Sequence, residues 1–575
     1  MQSGLQQTLL KPANNKWCSN DKIGCDSSEI SVGGRSVYPF GMRLRRFGRR
    51  RAATCWLLGG VVLCSALGGA APSSAFETNA APEPENEIDG RVFAKLRELD
   101  IQPAAVSSDP VFVRRVYLDV IGTLPTALEA EQFILDRSPR KRAALIDRLL
   151  ARDEFADYWA MKWSDLLRVK AEFPINLWPN AAQAYHHWIR ECIRRNMPYD
   201  QFTRAMLTAS GSDFDEPPVN FYRALQSKDP QTIAQTVALT FMGARTEKWP
   251  AEQRSNMAAF FSNVGYKTTA EWKEEIVFFD PHSTNAEAIG SSPRRAAFPD
   301  GSTVLLSPDQ DPRAVFAGWL TGRNNPWFAR NIANRVWSWL LGRGIIQQPD
   351  DIRPDNPPVN PELLACLEQE LVLSGYDLKH IYRLILNSKT YQLSSVPKTD
   401  GPSAAAQFAF YPLRRLDAEV LIDAVDQITG STENYSSAIP EPYTFIPPGR
   451  RSIALPDGSI TSPFLDMFGR PPRDTGLESE RNNHVTAAQK LWLLNSGVMR
   501  QKIEQSRMIQ YHAASGKSPR EIAAGLYLAI LSRFPAEAEM QTAEAYFQSG
   551  KLGRREATVD LAWALMNSDE FLYRH

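Results

Sequence analysis

The sequence predicts a mainly α-helical protein with two helical halves. Its 575 residues are 43% hydrophobic and 23% charged, which is typical of a folded chain that is too long for a single core. Apolar residues recur three and four positions apart over most of the chain, as they do in amphipathic helices. Proline repeatedly follows a capping residue, as it does where helices start. A mainly disordered or collagen-like protein is therefore excluded.

The helical periodicity is clearest over residues 145–150, 328–340, 378–385, 522–530 and 559–566. Helix starts are predicted where a capping side chain precedes proline, at Asp109, Ser138, Asp229, Asp311, Asn325, Asn360 and Ser518. Helix ends are predicted at glycines, namely Gly342 with Gly344, Gly375 and Gly430.

Two stretches break the helical pattern. Residues 276–279 and 302–306 are β-like, so we expect a small β-hairpin or ribbon near 270–310. Residues 431–484 are rich in Pro, Gly, Ser and Arg and predict long ordered loops or a mobile region. The predicted organisation is a leader over 1–75, a polar linker over 76–88, a helical half over 89–265, a β-like connector over 266–310 and a second helical half over 311–575.

The leader has the features of an export signal. Residues 43–51 hold six arginines and no acid, residues 52–71 are uncharged, and small residues follow at 73–75. We therefore expect translation to begin at Met42, cleavage close to Phe76, and a periplasmic or extracellular protein. An uncleaved membrane anchor is the alternative, because about 20 apolar residues can span a bilayer.

The net charge of the chain without its leader excludes some classes of partner. The leader holds ten of the 65 Lys and Arg and three of the 65 Asp and Glu, so its removal leaves 55 against 62, a net charge of −7. An acidic chain argues against nucleic-acid or anionic-membrane partners, and an envelope or extracellular protein or a glycan is expected instead.

Only Cys192 and Cys366 lie beyond the leader, and both are predicted to be buried free thiols.

Several long stretches carry a resemblance to known families. Residues 112–126 (FVRRVYLDVIGTLPT) and 142–168 (RAALIDRLLARDEFADYWAMKWSDLLR) resemble domain-of-unknown-function family 1549. Residues 311–364, 374–395 and 414–425 (RRLDAEVLIDAV) resemble its partner family 1553, and the tail LAWALMNSDEFLYRH is similar to the usual end of such proteins. The resemblance implies an exported, planctomycete-type protein without an established biochemical role, of a kind often adjacent to or fused with cytochrome-c-like modules.

The chain departs from this family pattern at two cysteine motifs. Members carry a Cys-x-x-Cys-His haem-attachment sequence after the helix that is predicted here over 232–243, but this chain continues ARTEKWPAEQRSNMAAFF. The family's Cys-Glu-Cys-Glu-Arg element is reduced to Leu477-Glu478-Ser479-Glu480-Arg481. Because a c-type haem needs two thioether links and an axial imidazole, we expect no haem and no other cofactor.

The densest polar element follows the helix predicted over 328–340 and contains Asp350, Asp351, Arg353, Asp355 and Asn356. Oxygen ligands this close could bind a hard cation such as calcium, although the glycine and distal glutamate of a helix-loop-helix calcium site are absent. We favour the alternative, in which the carboxylates cap the next helix and pair with arginines.

The helix before this loop carries a polar stripe of Arg330, Asn331, Asn334 and Arg335 at i, i+4 spacing. Two guanidiniums on one face could clamp a carboxylate or a sulfate. They could equally pair with the acidic loop, and we favour this internal network because three tryptophans on the same helix indicate that it is packed on most sides.

No established catalytic motif is evident, since no HExxH, GxSxG, P-loop or GxGxxG sequence occurs. The sequence therefore favours an exported, non-haem binding or scaffold protein that acts with an envelope or extracellular partner. The alternative is a hydrolase of polysaccharide or sulfated glycan that uses carboxylates such as Asp350 or Asp351, because paired carboxylates are recognised by their separation in space. Electron transfer requires that another chain supply the haem.

Overall fold

Helices dominate the described chain, and the strands are few and short. The computed structural model describes residues 75–78, 81–283, 294–446, 448–550 and 552–575. Over these residues it contains 25 α-helices and seven strands in small antiparallel sheets, so the predicted mainly α class is confirmed. The predicted start at Met42 and the export signal lie outside the described residues.

The helices of the N-terminal half are α1 (Glu87–Glu98), α2 (Asp109–Val120), α3 (Ala127–Leu135), α4 (Lys141–Leu150), α5 (Asp153–Leu166), α6 (Pro179–Arg194), α7 (Tyr199–Leu207), α8 (Asn220–Arg223), α9 (Pro230–Val237) and α10 (Ala251–Ala258). The helices of the C-terminal half are α11 (Pro312–Leu320), α12 (Phe328–Leu341), α13 (Pro361–Leu373), α14 (Leu378–Asn387), α15 (Lys389–Gln392), α16 (Pro402–Ala406), α17 (Ala418–Thr429), α18 (Pro463–Met467), α19 (Ala487–Asn495), α20 (Gly497–Gln505), α21 (Arg507–Ala514), α22 (Pro519–Leu531), α23 (Glu537–Gln548), α24 (Arg554–Met566) and α25 (Asp569–Leu572).

The strands are β1 (Gly211–Ser212), β2 (Val264–Thr268), β3 (Glu275–Phe279), β4 (Arg294–Ala297), β5 (Thr303–Leu306), β6 (Arg414–Arg415) and β7 (Tyr573–Arg574). The three sheets have the strand orders β1-β3-β2, β4-β5 and β6-β7.

Four of the predicted proline-marked helix starts are confirmed by side-chain caps. Asp229, Asp311, Asn360 and Ser518 each accept a hydrogen bond from a backbone N–H in the first turn of the helix that follows. This bond satisfies one of the donors that a helix start leaves unpaired.

The other three predicted starts are displaced. The Asp109 carboxylate accepts from the Arg142 guanidinium and does not cap α2. Helix α4 begins only at Lys141, two residues beyond the predicted position, and α12 begins at Phe328. There the Asn325 side chain accepts from the amide of Trp327, just before the helix, and from that of Phe328, its first residue, so it forms a turn that leads into α12.

The predicted β-hairpin is in fact two hairpins. In the first, β2 pairs with β3 and places Tyr266 opposite Val277, while β1 adds to the other edge of β3. In the second, β4 pairs with β5 and places Ala296 opposite Val304. Each β-like run thus pairs with a strand close to it in sequence, because a short antiparallel connection closes at a lower entropic cost than a long one.

The described residues of the proline-rich stretch over 431–484 contain only one short α-helix, α18, and two 3-10 turns. Buried carboxylates hold its backbone in place. Both carboxylate oxygens of Asp423 accept from the loop, from Ser452 N at 2.7 Å and Ile453 N at 3.1 Å. These loops are therefore ordered parts of the fold over their described residues.

The predicted linker over 76–88 contacts the folded chain at both ends. The Thr78 amide and hydroxyl both donate to Val106 O. At the other end Asn86 caps α1, which begins at Glu87, and its amide donates to Leu384 O at 3.0 Å. Residues 79 and 80 lie outside the described part of the chain.

One hydrophobic core runs through both halves, from Ile88 to Leu572. Two buried arginines on α2 reach across it to backbone carbonyls of the C-terminal half. Arg114 donates to Ile530 O at 2.8 Å, and Arg115 donates to Tyr391 O at 2.7 Å. Since leaving a buried donor unpaired is costly, these bonds fix one half against the other. No helix among the described residues is long and apolar enough to cross a bilayer.

Both cysteines of the described chain are free thiols. Cys192 is buried, and burial raises the pKa of its thiol to about 12, so it stays neutral. Cys366 is only half-buried, which corrects the prediction of two buried thiols, because α13 leaves this position at the edge of its packed face.

Candidate functional site

A polar cavity of about 560 Å³ lies where the two halves meet. Helix α5 contributes Lys162, and the C-terminal half contributes the end of α12, the loop before α13, strand β6, the segment from 478 to 485 and the chain end. Its walls carry five cationic side chains and three carboxylates. They are Lys162, Arg414, Arg415, Arg481 and Arg574, and Asp350, Asp417 and Glu478.

The end of α12 and the two-stranded β6-β7 sheet bring the arginines together. Helix α12 ends at Gly342, which has a φ of 72° that favours glycine. The Arg414 side chain, on β6, donates to two carbonyls of the last turn of α12 that lack helical partners, those of Trp339 at 2.9 Å and Leu340 at 2.7 Å. Strand pairing then places Arg574 opposite Arg414.

Asp417 is the acid to which the cations of the cavity wall converge. Its carboxylate contacts Lys162 Nζ at 3.0 Å and Arg574 Nη2 at 2.9 Å, and it accepts from Asn483 Nδ2 at 2.7 Å. Burial alone would raise the pKa of Asp417, but Lys162, Arg481 and Arg574 together hold it well below its usual range. Asp417 is therefore ionised and fully committed to internal partners.

Arg481 joins the two halves behind the cavity wall. It donates to Glu419 Oε2 at 2.7 Å and to Asp165 Oδ2, on α5, at 2.6 Å. Despite the opposing effect of burial, Arg481 and Arg473 lower the pKa of Asp165. The Arg481 guanidinium thus stabilises the fold, and most of its N–H donors are engaged by Glu419 and Asp165.

A second acidic group is built around Asp350. Its Oδ1 accepts from Arg335 Nη2 at 2.7 Å, and its Oδ2 accepts from Glu478 N at 2.7 Å. The Glu478 carboxyl accepts from Trp339 Nε1 at 3.2 Å and keeps 31% of its side chain exposed, compared with 2% for Asp350. Burial raises the pKa of Glu478, although Arg335 opposes the shift. Glu478 is therefore the more accessible carboxyl of this pair.

The Arg415 guanidinium has N–H donors without a hydrogen-bond partner among the described residues. Its Nη2 donates to Phe468 O at 2.5 Å and to Asn482 O at 3.1 Å, and the residue is 5% exposed. Its Nε and Nη1 groups have no hydrogen-bond partner among the described residues. Buried polar groups of folded proteins are nearly always paired, and an acceptor bound at this wall would satisfy the unpaired donors of Arg415.

Of the predicted polar stripe and acidic loop, only Asp350 lines the cavity, and Arg335 pairs with it from behind the wall. Arg330 instead donates to Glu368 Oε1, on α13, at 2.7 Å. The Asn334 side chain holds both backbone groups of Ile346, as donor to its carbonyl and as acceptor from its amide. The loop is thereby tied back against α12.

The remaining loop residues pair with one another. Arg353 donates to Asp351 at 3.0 Å and to Asp355 at 2.7 Å, and Asn356 donates to the Asp351 carbonyl at 2.9 Å. None of the carboxylates caps α13, which corrects that part of the interpretation, because Asn360 already provides the cap. Within the described residues no group of three or more His, Cys, Asp or Glu side chains could hold a metal ion.

Sequence reasoning missed most of the residues that line the cavity. Lys162, Arg414, Arg415, Asp417 and Arg574 lie inside the very stretches that carry the family resemblance. Glu478 and Arg481 lie in the element that was noticed only for its missing cysteines. The charged residues within those stretches were the feature of the sequence that could have indicated the cavity.

The fold and the cavity define a mainly α-helical protein whose halves share one polar site. The chain matches two family models, one described as "Protein of unknown function (DUF1549)" over residues 87–266 and one described as "Protein of unknown function (DUF1553)" over residues 312–547. It therefore belongs to the proteins that carry these two families in their N-terminal and C-terminal halves. No curated protein and no solved structure matches the chain.

Proposed function

We propose that this protein binds an anionic ligand in the cavity between its halves, and that the ligand presents a carboxylate or sulfate group of the kind carried by acidic glycans. The observation that carries the proposal is the surplus of cations in the cavity wall, five against three carboxylates, in a chain whose formal net charge is zero. Among these cations, Arg415 keeps two N–H donors for an acceptor.

The surroundings of the cavity support anion binding. Behind the wall three cations and three acids balance in number. Arg470 pairs with Glu419 and Arg473 with Asp165, whereas Arg335 pairs with Asp350 of the wall and Asp119 with Arg574 of the wall. A guanidinium presents a planar pair of donors that matches a carboxylate or sulfate. A cavity of about 560 Å³ also falls within the size range of small-molecule sites.

A thermal-shift experiment tests the proposal with defined compounds. We expect tri-galacturonic acid to raise the melting temperature of the mature chain, because a ligand that binds only the folded state stabilises it. The neutral sugar galactotriose should give no shift, and added sodium chloride should reduce the effect by screening. Equal shifts with the neutral and acidic trisaccharides would contradict the proposal.

A second candidate is hydrolysis of such a glycan, and the raised pKa of Glu478 favours it. A carboxyl whose pKa is raised is suited to donate its proton to a leaving oxygen, while the lowered pKa of Asp417 in the same wall favours its ionised form. Glu478 would replace the carboxylates first considered. Asp350 has both oxygens engaged, and Asp351 does not line the cavity.

Glu478→Gln separates the two candidates. If Glu478 is the general acid, we expect hydrolysis of an acidic oligosaccharide to fall about 100-fold or more, because a general acid contributes on that scale. Binding of the same oligosaccharide, measured by calorimetry, should persist. If wild-type protein releases no reducing ends above a no-enzyme control, the binding function stands alone.

We further propose that the protein is exported, carries no covalently attached haem and acts as a binding or scaffold protein with an envelope or extracellular partner. Two features support this proposal. The leader is rich in arginine, and the segment that directly follows residue 243, where relatives carry the haem-attachment motif, contains neither cysteine nor histidine. Native protein should yield an N-terminal peptide that starts near Phe76 and should show no Soret band. Recovery of peptides from the first 41 residues, or covalent haem, would overturn these proposals.

A further inference from the structure

Three aromatic side chains form an exposed cluster, and none of them lines the cavity. The ring centroids of Trp178 and Trp272 are 4.7 Å apart, those of Trp178 and Tyr443 are 5.5 Å apart, and those of Trp272 and Tyr443 are 5.3 Å apart. Trp272 is 55% exposed and Tyr443 is 46% exposed. We call these three residues the aromatic cluster.

The rings meet at steep angles and not as a flat stack. The interplanar angles are 75°, 60° and 56° for the three pairs, so ring faces and edges alternate at the surface. This arrangement is favourable between the rings themselves, and it leaves faces of the two exposed rings open to a partner. The cluster thus presents apolar faces without being a uniformly apolar patch.

The backbone beneath the cluster is strained. Trp178 has a φ of 72° and a ψ of 149°, in a region that is essentially restricted to glycine. Lys273, next to Trp272, has a φ of 66°. Strained non-glycine residues of this kind concentrate at ligand sites, where the surroundings hold a side chain in place.

A cation lies at the cluster, and two acids are close to it in the sequence. Lys273 Nζ lies 5.2 Å from the Trp178 ring centroid and 5.6 Å from that of Trp272. Two exposed acids, Glu271 and Glu441, lie one and two positions from cluster residues in the sequence. Exposed carboxylates oppose a polyanion such as nucleic acid or an anionic lipid surface.

We infer that the aromatic cluster binds a neutral polysaccharide. The negative faces of the rings attract the C–H face of a sugar ring. The indole N–H groups and Lys273 can donate to sugar oxygens, and Glu271 or Glu441 can accept from hydroxyls. A proline-rich peptide, the other common ligand of exposed aromatic rings, presents chiefly carbonyl acceptors and offers fewer donors to these carboxylates than a sugar does. The inference does not depend on ligand binding in the cavity.

The test uses calorimetric titration of the mature chain with neutral hexasaccharides of β-1,4-linked glucose, xylose, mannose or N-acetylglucosamine. We expect at least one of them to bind. Trp272→Ala should weaken that binding at least tenfold with an unchanged melting temperature, because this ring is more than half exposed. Tyr511→Ala, which removes a ring that is 63% exposed elsewhere on the surface, is the matched control and should leave binding unchanged.

A second variant tests the strained position directly. Trp178→Gly removes the ring and relaxes the backbone, so binding should fall at least tenfold without a lower melting temperature. The inference is overturned if no hexasaccharide binds, if Trp272→Ala binds as wild type does, or if decaproline binds while the hexasaccharides do not. A marked fall in the melting temperature of Trp178→Gly would also count against it, because ring packing would then explain the strain.

Discussion

Replacing Arg335 with alanine should lower the free energy of unfolding by about 3–5 kcal/mol, because removing one partner of a buried ion pair leaves the other charge unpaired. The Arg335 side chain is 1% exposed and its partner Asp350 is 2% exposed, at a distance of 2.7 Å. The loss should be measured as a shift of the urea or thermal unfolding midpoint of the mature chain.

The same helix supplies a matched control. Arg330 also pairs with a carboxylate at 2.7 Å, but its side chain is 40% exposed. Arg330→Ala should therefore cost about 1 kcal/mol or less. If the two variants unfold alike, or if Arg335→Ala keeps full stability and loses only ligand binding, Arg335 is a ligand-binding residue and the structural pairing is wrong.

Asp417→Asn should also cost about 3–5 kcal/mol at neutral pH, because it leaves Lys162 and Arg574 without their common carboxylate. Asp355→Asn is the control, since Asp355 is 73% exposed and its pairing with Arg353 should contribute little. Equal melting temperatures for Asp417→Asn and wild type would contradict the role assigned to Asp417.

The effect of Asp417 should depend on pH in a defined direction. In the folded protein its pKa is held well below the ordinary value of 3.8. The stabilisation is therefore fully present above about pH 4 and is lost as the pH falls through the lower, folded-state pKa. We expect the stability difference between wild type and Asp417→Asn to shrink on acidification below pH 4, as followed by unfolding midpoints at a series of pH values.

The fold could be predicted from the sequence because its determinants are local. Apolar spacing indicated the helices, and capping side chains before proline marked α9, α11, α13 and α22 correctly. The displaced starts at Ser138 and Asn325 show the limit of such local signals. There a turn precedes the helix, and the capping residue binds the turn.

The site could not be predicted in this way because its contacts are distant in sequence. Lys162 and Asp417 are 255 positions apart, and Arg574 is 157 positions from Asp417. No spacing rule connects them. Only the pair of Arg335 and Asp350, 15 positions apart, was close enough in the sequence to be predicted.

Calorimetric titration of tri-galacturonic acid into wild type, Arg415→Gln and Arg507→Gln tests the proposed anion site most directly. Arg415 lines the cavity with two unpaired donors, whereas Arg507 is exposed at the start of α21. Since a hydrogen bond to a charged group contributes about 1.5–3 kcal/mol, Arg415→Gln should weaken binding about tenfold or more, and Arg507→Gln should bind as wild type does. Binding that is unaffected by Arg415→Gln, or weakened equally by both substitutions, would contradict an anion site in the cavity.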